Sequence, residues 1–416
     1  MAKKVVIVGG GFAGISAAKK LADTDYEVVI VDKSNHHLFQ PLLYQVATAA
    51  LSPGDIATPI RAIFSKKDNI RVLLGEVTGV NKQENTLSLK DGTTLDFDFL
   101  VLAPGARYNY FGNKDWEKHA PGLKSLNDAL DIRERILLSL EKAEQITDPQ
   151  KRKPYLTYVV IGGGPTGVEM AGSIAEIAKR NMMRDYRNFK KGETQIHLVE
   201  AAPGILNGFD EPLPEKGHAT LEKMGVNVLL NSPVQEIKEN GVQLSDRFIE
   251  TPNIIWAAGV SASPMLETLN AETDRGGRVK VNPDLSLPDH SNIFVLGDAA
   301  YLEDKNGKPL PGLAPVAMQQ GRFLGDLLRN PQKLKERPPF HYTDKGSMAT
   351  IGRAKAVADV RGFKFSGFFA WLLWGFIHIF FLIGFRNRFR VFAEWMWHYL
   401  TFKRGVRLIK SDAKED

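Results

Sequence analysis

The chain has 416 residues, of which 43% are hydrophobic and 25% are charged, a composition typical of a globular protein with more than one domain. Its formal net charge is +6, but residues 361–411 contain nine Lys or Arg residues and one acidic residue, so the remainder is close to neutral. Cysteine is absent from the sequence, which excludes disulfides, cysteine-ligated iron–sulfur clusters and a redox-active dithiol.

A βαβ unit is predicted at the start of the sequence. Residues 5–8 are apolar and β-branched and run into three glycines, which is typical of a buried strand. Residues 12–21 are predicted to form a helix, and residues 28–31 a second strand. No separate signal sequence precedes the first strand, and the glycines end the apolar run too early for a signal core. We therefore expect the body of the protein to face the cytosol.

A glycine fingerprint lies between these two strands. In the pattern Gly9-x-Gly11-x-x-Gly14, the first glycine permits a tight turn and the second lets backbone N–H groups approach a pyrophosphate. The third allows the helix to pack closely on the strand, and the helix N-terminus adds partial positive charge. Asp32 ends the second strand, where a carboxylate can accept hydrogen bonds from a ribose. A glycine-rich turn without a ligand is the alternative, but the flanking strands and Asp32 favour a dinucleotide site.

The same arrangement recurs later in the chain. Residues 158–161, 168–178 and 195–199 are predicted to form a strand, a helix and a second strand, with fingerprint glycines at positions 162, 164 and 167. Glu200 ends the second of these strands, and a carboxylate there favours a free 2′-hydroxyl and repels a 2′-phosphate, which predicts NADH rather than NADPH. Because Glu200 lies far from the fingerprint, we expect the helix to continue through the basic residues 179–191.

Two dinucleotide folds in one chain imply that two dinucleotides meet. The natural pair is a nicotinamide that delivers a hydride and a flavin that receives it. Apolar runs also end in glycine at residues 100–105 and 254–259, and residues 293–298 end in a Gly-Asp pair. Beside a flavin, Asp298 can bind the sugar-alcohol chain; a plain helix N-cap is the alternative. Residues 331–339 are polar and contain prolines, which indicates a domain boundary.

The adjacent histidines His36 and His37 do not predict a metal site. Neighbouring side chains point in different directions, and no acidic residue or third histidine stands at ligand spacing. Since cysteine is absent as well, we expect neither a metal ion nor an iron–sulfur cluster.

The C-terminal region is both apolar and basic. Residues 363–385 are nearly continuous in apolar side chains, close to the roughly 20 residues of a transmembrane helix. Three arginines follow, and aromatic residues then recur at helical spacing as far as Tyr399. We predict two helices that lie in the membrane surface against anionic lipid, with no nucleic-acid partner. A true span is the alternative, disfavoured by His378, and a core helix or a homodimer interface is a third interpretation. No chain of buried charges crosses a bilayer in either membrane arrangement, so we expect no proton pumping.

Several motifs carry a more specific resemblance. They are FQPLLYQVA at residues 39–47, GGGPTGVE at 162–169, LGDAA at 296–300, APVAMQQ at 314–320, KGSMA at 345–349, and the apolar, basic tail. Residues 1–330 resemble the flavoproteins with two dinucleotide-binding domains. Nearly the whole chain resembles the type II, non-proton-pumping NADH:quinone oxidoreductases.

This resemblance implies an α/β fold with two Rossmann-like dinucleotide-binding domains and a C-terminal amphipathic, membrane-anchoring helical region. Residues 1–112 and 271–340 would form the FAD-binding domain, residues 113–270 the NADH-binding domain, and residues 341–416 the anchor and part of the quinone site. The implied enzyme is peripheral (monotopic) on the cytoplasmic side of the cell membrane. It would transfer a hydride from NADH to FAD and two electrons onward to a membrane quinone.

The resemblance also implies roles for single residues. Glu169 matches the glutamate that ends the GGGPTGVE motif, near the flavin and implicated in proton handling. A carboxylate there could relay the second proton that quinone reduction requires; capping of a helix or binding of the nicotinamide ribose is the alternative. Many relatives carry Gln at the position of Pro315, which leaves Gln319 and Gln320 as polar candidates for the quinone headgroup.

The candidate site residues follow from these motifs. The catalytic candidates are Glu169, Gln319 and Lys345. The predicted FAD contacts are Gly9, Gly11, Phe12, Ala13, Gly14, Asp32, Lys33, Ala103, Gly105, Gly297, Asp298 and Ala317. The predicted NADH contacts are Gly162, Gly164, Pro165, Thr166, Gly167, Glu169, Glu200, Ala258 and Gly259. The predicted quinone contacts are Gln40, Pro41, Tyr44, Gln319 and Gln320.

Two other classes of function fit part of the sequence. A flavin enzyme with a soluble acceptor accounts for both nucleotide sites but not for the tail. Its disulfide-reductase form needs cysteines that the chain lacks, as do the sulfide:quinone oxidoreductases. A non-catalytic flavoprotein that senses NADH would keep both nucleotide sites and need no quinone pocket.

Overall fold

The structure is a computed structural model that describes residues 2–178, 185–401 and 406–409. The chain divides into two compact units, each built from three segments. The first unit comprises Met1–Leu38, Ala57–Arg107 and Val260–Asp344. The second unit comprises Phe39–Ile56, Tyr108–Gly259 and Lys345–Asp416.

The secondary-structure elements are numbered in chain order. The strands are β1 Lys4–Val8, β2 Glu27–Asp32, β3 His36–Leu38, β4 Ala57–Pro59, β5 Ile70–Leu74, β6 Val77–Asn81, β7 Thr86–Leu89, β8 Thr94–Asp96, β9 Phe99–Leu102, β10 Ala106–Tyr108, β11 Thr157–Ile161, β12 Gln195–Val199, β13 Val226–Leu229, β14 Val234–Lys238, β15 Gly241–Leu244, β16 Phe248–Glu250, β17 Asn253–Trp256, β18 Val260–Ala262, β19 Val279–Lys280, β20 Ile293–Val295, β21 Ala300–Tyr301, β22 Ser347–Gly352, β23 Lys355–Val360 and β24 Phe363–Gly367. The α-helices are α1 Phe12–Leu21, α2 Leu43–Ala47, α3 Pro53–Ile56, α4 Ile60–Ile63, α5 Trp116–His119, α6 Leu126–Gln145, α7 Pro149–Arg152, α8 Pro165–Glu176, α9 Leu213–Lys223, α10 Ala314–Arg329, α11 Pro331–Glu336, α12 Phe368–Phe381 and α13 Phe385–Thr401.

A parallel sheet in the order β20-β9-β1-β2-β5 forms the centre of the first unit. The central residues of β1 and β2 are apolar and buried, as expected where both faces of a parallel sheet are covered, and the predicted strand–helix–strand start is confirmed. Helix α10 packs against α1 at close range. A Cβ on Gly321 would lie 2.2 Å from the carbonyl oxygen of Ala13, so only glycine permits this approach.

A second parallel sheet, in the order β13-β12-β11-β17, forms the centre of the second unit. The order of its strands repeats that of β5-β2-β1-β9 in the first unit, with a glycine turn and a helix after the corresponding strand. Thus the predicted α/β class with two Rossmann-like folds is confirmed. Antiparallel sheets β14-β15-β16 and β22-β23-β24 complete the strands described here for this unit.

The helix predicted to continue through residues 179–191 does not include residues 185–190. Helix α8 spans Pro165–Glu176, residues 177–178 follow it as a π-helical turn, and residues 179–184 lie outside the described residues. Residues 185–190 form turns and bends. The carboxylate of Glu144 at the end of α6 accepts hydrogen bonds from the backbone N–H groups of Arg187 and Asn188, at 2.9 and 3.0 Å, so these groups are not available for a helix.

The apolar C-terminal run divides into three elements. Its first residues, Phe363–Gly367, form strand β24 paired with β23 rather than helix, and α12 and α13 follow. Gly367 and Gly384 adopt φ angles of +80° and +90°, which interrupt the chain before each helix. In the described ranges, no helix has both the length and the apolar character of a transmembrane helix.

Candidate functional site

The turn between β1 and α1 requires glycine at two positions for reasons of geometry. Gly9 has a φ of +103°, and a Cβ there would lie 2.2 Å from the carbonyl oxygen of Ala103. A Cβ on Gly14 would lie 1.9 Å from the oxygen of Gly9. Gly11 differs, because a Cβ there meets nothing within 4 Å. The second glycine of the fingerprint therefore borders open space in front of the N-terminus of α1.

Asp32 holds this turn in place. Its Oδ2 accepts a hydrogen bond from the N–H of Gly10 at 2.6 Å, and its Oδ1 accepts one from Ser34 at 2.6 Å. The N-cap residue of α1 is Gly11, which has no side chain to cap the helix, and this leaves that end suited to an anion. The buried His37 ring also supports the turn, since its Nδ1 donates to the oxygen of Gly10 at 2.9 Å. This contact gives His37 a structural role.

The turn that contains Gly297 and Asp298 lies in the same unit, at the N-terminal end of α10. Gly297 has a φ of +67°, and its N–H donates to Oε1 of the buried Gln320 at 2.6 Å. A Cβ on Gly297 would lie 3.3 Å from the Cβ of Ala317. Gln319 exchanges two hydrogen bonds with the backbone of Thr343, at 2.9 and 3.0 Å. Both glutamines of the APVAMQQ motif therefore make contacts within the first unit.

The turn between β11 and α8 has the same construction in the second unit. Gly162 has a φ of +110°, a Cβ on Gly167 would lie 1.8 Å from the oxygen of Gly162, and Gly164 again faces open space. Glu200 accepts hydrogen bonds from the N–H groups of Gly163, at 2.5 Å, and Ala202, at 2.8 Å. Glu200 thus occupies the place that Asp32 holds in the first unit, and α8 likewise has no side-chain cap.

The other predicted nucleotide contacts stand at strand and helix ends. Ala103 and Gly105 follow β9, and Ala258 and Gly259 follow β17. Pro165 and Thr166 open α8, and Phe12 and Ala13 open α1. Lys33 is exposed after β2. The carboxyl ends of parallel strands are where open α/β sheets bind ligands, so these positions are suited to the contacts predicted for them.

A cavity of about 100 Å³ lies within the second unit. Its aromatic lining consists of Tyr44, Trp371, Trp374, Trp395 and Tyr399, together with the ring of His398. Its polar lining consists of Gln45, Glu169, Ser173, Glu176, Thr350 and Arg353. Aromatic walls with a few polar groups are typical of a site for a flat, largely apolar ligand.

Among the residues that line this cavity, Glu169 has a strongly raised pKa. Part of its surface faces the cavity, but protein atoms surround the carboxyl group, and this burial raises the pKa from 4.5 to about 8. The N–H of Thr350, 3.4 Å from Oε1, opposes the shift only weakly. At neutral pH the carboxyl group is therefore mostly protonated and can give up a proton.

The structure brings some of the predicted catalytic and quinone residues together. Glu169 and Tyr44 both line the cavity. Gln40 is exposed and donates to the oxygen of Lys124 at 3.0 Å, and Pro41 stands beside it in a short 3-10 helix. Lys345 is exposed two residues before β22, and Gln319 and Gln320 belong to the first unit.

Other lining residues were missed by sequence reasoning. Ser173 and Glu176 follow Glu169 at spacings of four and seven residues, which places all three on one face of α8. That spacing could have predicted Ser173 and Glu176 from the sequence. Other lining residues, such as Thr350 and Arg353, come from β22 and the turn after it, and no local sequence pattern indicates them.

Comparison with known proteins identifies the class. Residues 3–321 match the sequence model of the pyridine nucleotide-disulphide oxidoreductases, and residues 345–404 match that of the NDH2 C-terminal domain. The structure of NDH2 from Plasmodium falciparum in complex with NADH has a TM-score of 0.90 and 21% identity, covering 98% of this chain and 100% of that one. The sulfide:quinone oxidoreductase of Aquifex aeolicus has a TM-score of 0.74 and 17% identity, with 96% of each chain covered. At these identities the structures establish the shared fold alone.

The duplicated dinucleotide fold thus defines an oxidoreductase of the pyridine nucleotide-disulphide type, here without the cysteines of a disulfide centre. The type II NADH:quinone oxidoreductase Ndh of Mycobacterium tuberculosis is 41% identical over 97% of this chain and 89% of its own length. The internal alternative NAD(P)H-ubiquinone oxidoreductase A1 of Arabidopsis thaliana is 30% identical over 98% of this chain and 86% of its own. The chain belongs to the type II NADH:quinone oxidoreductase family.

Proposed function

We propose that the first unit binds FAD, that the second binds NADH, and that the cavity beside Glu169 receives a membrane quinone. The product would be quinol, formed without proton pumping. Bound FAD would supply the chemistry of accepting a hydride and returning two electrons. The observation that carries the proposal is the cavity itself, where the carboxyl group of Glu169, whose pKa is raised by burial, stands among aromatic rings.

The construction of the first unit supports FAD as its ligand. The open space at Gly11 and the uncapped N-terminus of α1 suit a pyrophosphate. Asp32 is held at the end of β2 by two backbone N–H groups, where it would hold a ribose. Asp298 stands at the second turn, where it would bind the sugar-alcohol chain. These residues would bind and orient the cofactor.

Quinone reduction consumes two electrons and two protons, and a hydride supplies only one of those protons. Glu169 would hold the other proton on its carboxyl group and deliver it to a quinone oxygen. The walls formed by Trp371, Trp374 and Trp395 would enclose the quinone ring and exclude water. The roles predicted for Gln319, Gln320 and Lys345 in quinone binding and reduction stay predictions.

Replacement of Glu200 by Gln is expected to weaken discrimination against NADPH. The amide keeps an acceptor for the N–H of Gly163 but loses the charge that would repel a 2′-phosphate. We expect the ratio of kcat/KM for NADH to that for NADPH to fall roughly tenfold or more. Glu215→Gln, which removes an exposed carboxylate on α9, is the control and should leave the ratio unchanged. Wild-type discrimination in the Glu200→Gln variant would contradict this role.

The exposed face of α12 and α13 supports attachment to a membrane. Phe369, Phe376 and Phe385 are 77%, 70% and 84% exposed, and exposed arginines stand at positions 386, 388 and 390. Large aromatic groups beside cationic ones suit the interface of a bilayer that contains anionic lipid. We propose peripheral attachment through this face on the cytoplasmic side of the cell membrane.

Substitution of Phe369, Phe376 and Phe385 by Ser in one variant should release the protein from vesicles. Each ring would contribute about 1.5 kcal/mol when buried in lipid, so partitioning should fall about 1000-fold for the three together. Sedimentation with anionic vesicles measures it, and Phe248→Ser on β16 is the matched control. If the variant instead changes from dimer to monomer and still sediments with lipid, the face is a homodimer interface.

Steady-state turnover in lipid vesicles tests the proposed function as a whole. NADH oxidation should proceed with several quinones and should require bound flavin. Equal turnover with soluble dyes and no gain from lipid-embedded quinone would instead indicate a soluble-acceptor diaphorase. Absence of turnover with every acceptor, despite flavin reduction, would indicate a sensor.

A further inference from the structure

An exposed aromatic ring lies beside the carboxyl end of β17. Phe111 is 63% exposed and belongs to the second unit, as does Gly259, which follows this strand. The ring packs against the backbone of Gly259, because a Cβ there would lie 2.8 Å from Cζ of Phe111. It also meets the buried ring of Trp256 edge to face, with 6.0 Å between the ring centroids. These contacts cover only part of the ring, and the rest of it faces solvent.

The backbone holds the ring in this place. Phe111 has a φ of +52°, a left-handed conformation that bulky residues rarely adopt. Its N–H donates to Oδ1 of Asn109 at 2.8 Å, and the backbone oxygen of Asn109 accepts from Nε1 of Trp256 at 3.2 Å. Neither hydrogen bond buries the ring, so packing does not explain why a large apolar side chain occupies a strained and exposed position. Residues held in this way are found preferentially at binding sites.

The order of the strands indicates which part of NADH would reach Phe111. Strands β12, β11 and β17 are neighbours in the sheet, in that order. Glu200, at the end of β12, suits the ribose of the adenosine half, and the N-terminus of α8, after β11, suits the pyrophosphate. A dinucleotide that follows this order reaches the end of β17 with its nicotinamide half.

The glycine turn after β11 and the end of β17 are in direct contact, so this path is short. A Cβ on Gly162 would lie 2.8 Å from backbone atoms of Ala257 and Ala258. Ala258 and Gly259 are the contacts predicted for NADH at this strand end, and Gly259 is exposed. The ring of Phe111 therefore stands next to the last predicted NADH contact on the path.

We propose that Phe111 packs its ring against the nicotinamide ring of bound NADH and thereby favours ligands that carry this ring. The inference rests on the proposed function, because it takes the second unit to be the NADH site. Flat rings attract one another in offset or edge-to-face geometry, and a side chain that is already fixed loses little freedom when the ligand binds. Phe111 has no group that can transfer a proton or a hydride, so its part is to hold the nicotinamide in place.

Phe111→Ala tests the contact with the nicotinamide half separately from the rest of the ligand. Stopped-flow reduction of the flavin at several NADH concentrations gives the half-saturating concentration of NADH. ADP-ribose, which lacks the nicotinamide ring, gives an inhibition constant when it competes in the same experiment. We expect the half-saturating concentration of NADH to rise about 3- to 10-fold, the range for one aromatic pair, and the inhibition constant of ADP-ribose to stay unchanged. An equal rise in both constants, or no rise in either, overturns the proposal.

Two control variants show whether the aromatic ring itself is responsible. Phe111→Tyr keeps the ring and should behave as wild type. Phe248→Ala removes another exposed ring from the same unit, on β16, and should change neither constant. If Phe111→Ala loses its flavin, Phe111→Leu carries the test, because it keeps the apolar bulk but not the aromatic face. In that variant too, a rise for NADH alone supports the contact, and any other result contradicts it.

The wild-type protein distinguishes failure of this inference from failure of the proposed function. If NADH does not reduce its flavin, or if ADP-ribose does not compete with NADH, the second unit is not the NADH site and the proposed function is wrong. If both ligands behave as expected in wild type and Phe111→Ala changes neither constant, only the contact of Phe111 with the nicotinamide is wrong.

Discussion

Replacement of Gly11 by Val is expected to give a folded protein with little or no flavin. A Cβ at this position meets no atom within 4 Å, so the substitution strains nothing in the fold. The added side chain would instead fill the space in front of the first N–H groups of α1, where the cofactor phosphates must approach. We expect flavin affinity to fall at least tenfold, or about 1.4 kcal/mol, measured from the visible flavin spectrum and by titration.

The duplicated fold provides matched controls for this experiment. Gly164→Val makes the same change at an equally open position in the second unit. It should retain flavin but lose NADH-dependent flavin reduction. Gly14→Val should disrupt folding, since its Cβ would lie 1.9 Å from the oxygen of Gly9. Full flavin content in the Gly11→Val protein would show that the first unit does not bind the cofactor as proposed.

Replacement of Glu169 by Gln should separate the two half-reactions. The amide keeps the shape of the carboxyl group but has no proton to give, so reoxidation of the flavin by quinone should slow by roughly 100-fold or more. Reduction of the flavin by NADH should stay within about twofold of wild type. Stopped-flow measurement of each step decides the matter. A selective loss of flavin reduction would assign Glu169 to nicotinamide positioning instead.

The raised pKa of Glu169 also predicts a pH dependence. The wild-type rate with quinone should fall as pH rises through about 8, because the carboxyl group then loses its proton. The Gln variant should lack this decline. Between pH 4.5 and about 8, the folded protein also holds one proton more than the unfolded chain. The contribution of neutral Glu169 to the free energy of unfolding is therefore fully present below pH 4.5 and is lost as pH rises toward 8. Denaturant unfolding of the Gln variant should not show this decrease with pH.

Much of the nucleotide-binding architecture is predictable from local sequence. Glycines that separate an apolar run from a helix pattern identify both turns, and the predicted bounds of α1 agree with the structure. Asp32 and Glu200 stand at strand ends where the pattern places them. Sequence did not indicate that each carboxylate also holds the backbone of its own turn, through Gly10 and Gly163, because that depends on the distance between two strand ends.

The C-terminal region shows where local patterns stop being sufficient. Its apolar and basic composition predicts the two helices, and α12 and α13 are present. The composition does not show that residues 363–367 are a strand, since a short apolar run is compatible with either structure. Pairing with β23 and the positive φ angles at Gly367 and Gly384 decide that division.

The sequence by itself therefore determined the class of fold and the pair of dinucleotide turns, while Glu169 became a candidate proton donor through the family resemblance of its motif. The turns depend on spacings of a few residues, and glycine geometry and helix periodicity act over that range. Only the tertiary structure decided which residues share the cavity, because Tyr44, Glu169 and Trp395 come from distant segments of the chain. It also decided the pKa of Glu169, which depends on the density of surrounding atoms, and the contact of Phe111 with the distant Gly259.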